Sequence, residues 1–160
     1  MHIQFTIKCP PFSINKAYYR NRQLTQDARK WRKEFLLQLQ DKNIQKDLAA
    51  FHAEFDPKLH GIKASYRFCF PSDKLLTKKG TVSARSCDLT NIEKLVQDNI
   101  FDNRFNGRKI DNIIISNLDI DDKFIIQCHS CKILSPVEGN YLIQIGIELL
   151  PLQEHICPFQ

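Results

Sequence analysis

The sequence predicts one mixed α/β domain of the α+β type, with a small, largely antiparallel sheet of about four strands and two main helices. Three observations predict this fold class. The chain has 160 residues, of which 42% are hydrophobic, enough for one ordinary core. Short runs alternate apolar and polar residues, as half-buried strands do, and two longer runs repeat apolar residues at helical steps. No internal repeat or linker interrupts residues 1–160, so we expect a single domain.

The strands are predicted where apolar side chains recur at every second position. The last two strands flank the turn residues 135–140, so they are expected to form an antiparallel hairpin. A further short strand is expected at 113–115. The four main runs are 2–9, 62–70, 124–133 and 141–150.

Two helices are predicted from apolar stripes at three- and four-residue steps. The first begins after Thr25, a suitable N-cap, and carries Trp31 and Phe35 on its buried face. The second covers 90–102, where Thr90 and Glu93 match the T-x-x-E capping box. The intervening stretches 12–24, 72–86 and 103–109 are polar and are expected to be loops.

The composition indicates what kind of partner the protein has and in which compartment it is expected. Lys and Arg outnumber Asp and Glu by 23 to 18, a net charge of +5 that favours a polyanionic partner. We find neither an export signal at the N-terminus nor an apolar run long enough for a membrane span, so the protein is expected in the cytoplasm. The six cysteines are then expected to be reduced thiols. The pair Cys128 and Cys131 suggests a zinc site only weakly, because strand alternation places the two thiols on opposite faces.

Three aspartates stand where elements begin. Asp88 directly precedes the second helix, and Asp121 and Asp122 precede the third main strand. Carboxylates at the ends of separate elements suit Mg²⁺, which takes oxygen ligands and retains water. Lys94 lies six residues after Asp88 and can stabilise a phosphate or a leaving oxygen. The alternative is that these acids cap a helix and flank a solvated strand.

Two predicted loops combine features of nucleic-acid binding. The first mixes aromatic and cationic residues, which suits stacking on bases and binding of phosphates, or alternatively a dimer interface. The second is basic and suits the phosphate backbone, or is simply an exposed loop. The candidates are Tyr18, Arg20 and Arg22 in the first loop and Lys78, Lys79 and Arg85 in the second.

Three motifs, in order, resemble those of the RusA-like Holliday-junction resolvases. The run 9–20, CPPFSINKAYYR, resembles the P-P-S-x-N-x-x-Y signature of that family. The run 88–94, DLTNIEK, resembles its D-L-D-N-x-x-K motif, and 120–125, IDDKFI, resembles its later D-D-x-x-[IV] segment. The resemblance covers most of the chain.

The resemblance implies a homodimeric endonuclease of recombination and repair that requires Mg²⁺, for which Mn²⁺ can substitute. It would bind four-way DNA junctions and nick two strands symmetrically. Position by position, it implies metal binding by Asp88 and Asp122, with Asp121 as their neighbour and Lys94 as a catalytic or DNA-contacting lysine. It adds Asn15 and Asn91 to the candidate DNA contacts.

The chain departs from the family pattern in two places. Thr90 stands where the second carboxylate of D-L-D-N is expected, so Thr90 or Glu93 would have to complete the metal site. The 34 positions from Asp88 to Asp122 indicate an insertion in 101–117, which leaves Asp102, Asp111 or Asp119 as further replacements. Two alternatives therefore remain beside the nuclease: a junction-binding protein with weak or no catalysis, and a zinc-binding interaction domain.

Overall fold

The computed structural model describes residues 1–20, 23–83 and 86–152 of the chain. The helices are α1 Gln26–Leu39, α2 Lys42–Glu54, α3 Ser72–Leu75 and α4 Leu89–Phe101. The strands are β1 His2–Ile7, β2 His60–Phe70, β3 Lys109–Ile110, β4 Ile113–Ile114, β5 Ile125–Leu134 and β6 Leu142–Pro151. The predicted fold class is confirmed, because the main sheet has four strands and is largely antiparallel.

The main sheet has the order β1-β6-β2-β5. β6 pairs antiparallel with both β1 and β2, whereas β2 and β5 run parallel. The predicted hairpin is therefore wrong: β5 and β6 follow each other in sequence, but β2 lies between them. Neighbouring strands are about 5 Å apart, so residues 135–141 are long enough to pass over one strand. This order places β2 inside the sheet, where most of its residues are buried, and leaves the more exposed β5 at an edge.

One face of this sheet carries the core and the other is polar. Ile62, Ala64, Tyr66 and Phe68 of β2 are fully buried on the core face, whereas Lys63, Ser65 and Arg67 alternate with them on the other. α1, α2 and α4 contribute their apolar stripes to the same core. No helix in the described ranges is long and apolar enough to span a membrane.

The helices follow local capping signals with two differences from the prediction. Thr25 is the N-cap of α1 as predicted, and its hydroxyl accepts from the Ala28 N–H at 3.2 Å. α2 was not predicted, because only Leu48 and Phe51 are buried along it and the apolar stripe is short. The missed signal is Asp41, whose carboxylate accepts from two N–H groups at the start of α2.

The predicted capping box of α4 is wrong. The helix begins one residue earlier than predicted, so Asp88 is the N-cap residue, although its side chain makes no capping hydrogen bond. Thr90 then lies within the first turn, and Glu93 accepts a hydrogen bond from the Ser130 hydroxyl of β5. Tertiary contact with β5 thus replaces the local contact that the spacing suggested.

The stretches predicted as loops contain short helical turns. A 3-10 turn over Ile14–Lys16 is capped by Ser13, and a second one over Asn103–Phe105 is capped by Asp102. α3 lies inside the predicted loop 72–86. These elements are too short to show helical periodicity in the sequence.

Candidate functional site

Lys94 joins the two acidic motifs. It projects from α4, and its Nζ lies 2.8 Å from Asp98 Oδ1, one helical turn further on. The same Nζ lies 3.2 Å from Asp122 Oδ2, in the 3-10 turn Asp122–Phe124 that precedes β5. Gln97 also donates to Asp122 Oδ2, at 3.1 Å. The helix and the start of β5 therefore meet through polar contacts between side chains that lie 28 residues apart in the chain.

The two adjacent aspartates have different roles. Asp121 caps the 3-10 turn: it accepts from the Lys123 N–H at 2.9 Å and pairs with Lys123 Nζ at 3.1 Å. These contacts lower the pKa of Asp121, the backbone hydrogen bond most. Asp122 instead turns towards α4 and the contacts with Lys94. Of the two, Asp122 is the one that is placed to act in the site.

An acidic cavity of about 310 Å³ opens beside this contact. Its walls come from α4, from the segment that follows α4 and from the approach to β5. Five carboxylates and two cations line it, so its charge is negative overall. The lining residues are Lys94, Asp98, Phe101, Asp102, Asn103, Arg104, Asp119, Asp121 and Asp122.

The ammonium of Lys94 holds its proton strongly in this setting. Partial burial lowers the pKa of Lys94, but the hydrogen bonds and charges of Asp98 and Asp122 outweigh burial and raise the pKa above its usual value. Lys94 is therefore a cation at neutral pH. It can stabilise negative charge, but it is not a proton acceptor.

The first turn of α4 is less tightly held. Asp88 is exposed, and its Oδ2 accepts from Asn91 Nδ2 at the long distance of 3.4 Å. Thr90 is exposed on the same turn. Asp88 and Lys94 are separated by six residues, about 9 Å along the helix axis. Helical side chains lean towards the N-terminus, which brings Lys94 closer to this turn than its backbone position suggests.

Glu93 belongs to a small polar cluster under the edge strand. It accepts from the Ser130 hydroxyl, and Cys128 lies within hydrogen-bonding range. Partial burial and the nearby carboxylate of Glu93 raise the pKa of the Cys128 thiol to about 12. Cys128 is thus a neutral thiol, and Glu93 is held towards β5.

Tyr66 brings a buried hydroxyl close to these acids. The residue is fully buried on β2 opposite Ser130, and its hydroxyl has no hydrogen-bond partner among the residues that the structure describes. Burial raises the pKa of Tyr66, and the nearby carboxylates of Glu93 and Asp122 raise it further. Tyr66 is therefore a neutral donor beside carboxylates that are already engaged elsewhere.

The aspartates between α4 and Asp121 lie in different surroundings. Asp102 and Asp119 line the acidic cavity, and Asp102 is paired with Arg104. Asp111 instead forms an ion pair with Lys33 of α1, with a distance of 2.8 Å between Lys33 Nζ and Asp111 Oδ2. Of the three predicted replacements, Asp102 and Asp119 are therefore near Asp122, and Asp111 is engaged with α1.

The first predicted DNA-binding segment packs against α4. Trp31 anchors it, since its indole N–H donates to the Pro10 carbonyl at 2.6 Å. Asn15, Tyr18 and Arg20 are exposed on it. Arg22 lies outside the described residues, and so does Arg85 of the second loop. In that second loop Lys78 and Lys79 are exposed in a tight turn closed by hydrogen bonds between Thr77 and Thr81.

Sequence reasoning missed three residues of the site. Asp98 has a local signal, the i,i+4 spacing from Lys94 on a helix. Gln97 and Arg104 have none, because their proximity to Asp122 depends on how the chain folds back after α4.

The oxygen donors near Asp122 and at the first turn of α4 are of the kind that Mg²⁺ prefers. Across residues 1–20, 23–83 and 86–152, no group of three His, Cys, Asp or Glu side chains is placed to hold a metal ion. Comparison of the chain with protein-family models and with curated proteins finds no match.

Proposed function

We propose that this protein is a metal-dependent, structure-selective DNA endonuclease that resembles the RusA-like resolvases. It would bind four-way junctions as a homodimer in the cytoplasm and nick two strands during recombination and repair. The observation that carries the proposal is the contact between Lys94 and Asp122. These residues come from two separate motifs of the resemblance, and they meet at one acidic cavity.

Asp122 and Asp88 are the residues that would hold Mg²⁺ or Mn²⁺, with the Thr90 hydroxyl or a carboxylate of the cavity as a further oxygen ligand. When bound, the ion would polarise the phosphodiester and activate a water molecule. Lys94, which keeps its proton, would stabilise the negative charge that develops on the phosphate. Gln97 would orient Asp122 through its hydrogen bond.

The dimer is proposed for a chemical reason. A four-way junction presents paired phosphodiesters, and one active site cannot reach both together. Two copies of the chain would supply two acidic cavities.

The test is nicking of a synthetic four-way junction in Mg²⁺ or Mn²⁺. Asp122→Asn and Asp88→Asn should each abolish nicking while the folded spectrum is retained. Asp111→Asn is the matched control, because it makes the same chemical change in an exposed residue paired with α1. Asp111 has a φ of 47°, a conformation that Asn also tolerates, so the control should fold and cut normally. If the wild-type protein cuts no junction in either metal, the endonuclease proposal is wrong.

A junction-binding protein without catalysis is the second candidate. The exposed Thr90 favours it, because a hydroxyl brings no charge to the metal site. This candidate predicts tight, salt-sensitive binding of the junction with no turnover in either metal.

The zinc-binding interaction domain is the third candidate. Cys128 pairs with the core-facing Ala64, whereas Cys131 pairs with Arg67 on the polar face. The two thiols of one chain therefore point to opposite sides of the sheet and cannot chelate one ion together. Metal analysis of the purified protein checks this candidate, which requires about one tightly held zinc ion per chain.

A further inference from the structure

Arg104 stands at the rim of the acidic cavity on the segment that follows α4. The segment is anchored by Phe105, which is buried and whose ring centroid lies 4.8 Å from the guanidinium of Arg32 in α1. Asp102 caps the 3-10 turn by accepting from the Arg104 N–H at 2.9 Å. The backbone at Arg104 is therefore held from both sides.

Asp102 also fixes the direction of the Arg104 side chain. Arg104 Nε lies 3.0 Å from Asp102 Oδ1 and 2.8 Å from Oδ2, and Nη2 lies 2.5 Å from Oδ2. In the described part of the chain, Asp102 is the one hydrogen-bond partner of this guanidinium. An arginine carries five N–H donors, so the Nη1 edge keeps donors for another oxyanion.

The two members of this pair differ in exposure. The Asp102 side chain is 15% exposed and the Arg104 side chain is 77% exposed. The carboxylate is thus the buried support and the guanidinium is the group presented to solvent. An arrangement of this kind pre-orients an arginine, so less conformational freedom is lost when it binds a ligand.

The surroundings indicate what the ligand would be. The cavity holds more carboxylates than cations, and Lys94 is already shared by Asp98 and Asp122. A polyanion that approaches this cavity therefore needs a further cation at the rim. Tyr18 lies within electrostatic range of the Arg104 guanidinium, so the aromatic loop borders the same place.

We propose that Arg104 binds a backbone phosphate of the DNA strand that enters the acidic cavity, with Asp102 as its positioning residue. This inference rests on the proposed function as a DNA-binding protein, but not on catalysis. The segment between α4 and Asp121 would thereby add a substrate contact to the site. The planar guanidinium of Arg104 can donate two parallel hydrogen bonds to one phosphate, and the ammonium of a lysine does not reproduce this geometry.

The experiment compares Arg104→Ala, Arg104→Lys and Arg108→Ala in the full chain. Arg108→Ala is the matched control: it removes the same charge from the same exposed segment, but Arg108 does not line the cavity. Binding of a four-way junction is titrated without divalent metal over a series of salt concentrations, so that cleavage does not contribute.

Arg104→Ala should weaken binding roughly fivefold at about 0.15 M salt and reduce the slope of log affinity against log salt by about 1, as expected for one lost phosphate contact. Arg108→Ala should leave the slope close to that of the wild type. Arg104→Lys should keep the slope but lose part of the affinity, because the charge remains and the bidentate geometry does not. Equal melting temperatures would show that the variants are folded.

Two results would overturn the inference in distinguishable ways. If the wild-type protein binds the junction with a steep salt dependence but Arg104→Ala matches Arg108→Ala, the phosphate contact is wrong and the proposed function stands. If the wild-type protein binds no DNA, the proposed function and this inference fail together.

Discussion

The first turn of α4 and the turns that follow it differ in how firmly their polar side chains are held. Asp88 and Thr90 are exposed, and within the described residues the side-chain hydrogen bond from Asn91 to Asp88 is 3.4 Å long. One to two turns later, Lys94 has two ion pairs, and Gln97 adds a hydrogen bond to Asp122. The polar side chains in the first turn of α4 are thus loosely held, whereas those in its middle are fixed in place. Groups that are fixed before the substrate binds stabilise charge most strongly.

The difference has a structural cause. The middle of α4 faces the start of β5, which brings Asp122 to it, whereas the first turn emerges from the loop 72–88. Lys132 of β5 contacts the end of that loop, where it donates to the Ser86 hydroxyl and to the Cys87 carbonyl. The comparison predicts that substitutions in the middle have large effects and that the first turn can be improved.

Apart from the loss of a metal-binding aspartate, the largest expected effect is on the middle of α4. Lys94→Met should slow single-turnover cleavage of a junction about 10²-fold, because the cation beside the phosphate is lost and Asp98 and Asp122 remain uncompensated. Lys123→Met is the control, since Lys123 pairs with Asp121 outside the Lys94 contact. Equal rates for the two variants would break the comparison.

The second prediction concerns the first turn of α4. Thr90→Asp should raise the cleavage rate about tenfold at limiting Mg²⁺, because it restores a charged oxygen ligand where the resemblance expects one. A negative charge in the first turn of a helix is also favourable. Thr90→Asn has the same shape without the charge and should show no gain. Measured rates for both variants against metal concentration would test whether this turn is the weak half of the site.

The third prediction concerns the core beneath the middle of α4. Tyr66→Phe should raise the free energy of unfolding by about 1 kcal/mol, because it removes a buried hydroxyl that lacks a partner among the described residues. Tyr18→Phe, which changes an exposed hydroxyl, should leave stability unchanged. Denaturant titrations of both variants check this, and a loss of stability in Tyr66→Phe would mean that the hydroxyl has a partner in solution.

The smallest effect is expected at the rim, where Asp102 supports Arg104. The hydrogen bond from Arg104 lowers the pKa of Asp102 below its usual value of 3.8, despite partial burial. A carboxyl group whose pKa is lower in the folded than in the unfolded protein stabilises the fold at pH values above its unfolded pKa. This stabilisation is lost as the pH falls through the folded pKa. Asp102→Asn should therefore cost at most about 1 kcal/mol at pH 7. The difference from wild type should vanish as the pH falls below about 3.8, which unfolding measurements across pH would show.

Much of the fold followed from local patterns. The alternation of Ile3, Phe5 and Ile7 predicted β1, and Thr25 marked the start of α1, because each signal is contained within a few neighbouring residues. The missed helix α2 and the wrong hairpin have the opposite origin. α2 has a short apolar stripe, and the place of β2 between β5 and β6 depends on long-range pairing that no local pattern records.

The candidate site shows the same difference between local and long-range features. The sequence by itself determined which groups are available: the acidic motifs at Asp88 and Asp122, the lysine one and a half turns along α4, and the threonine where a carboxylate was expected. Only the tertiary structure decided that Asp122 meets Lys94, that Glu93 turns to Ser130, and that Arg104 reaches the cavity. The physical reason is that side-chain types are local properties, whereas ion pairs between elements exist only after the sheet and helix have packed together.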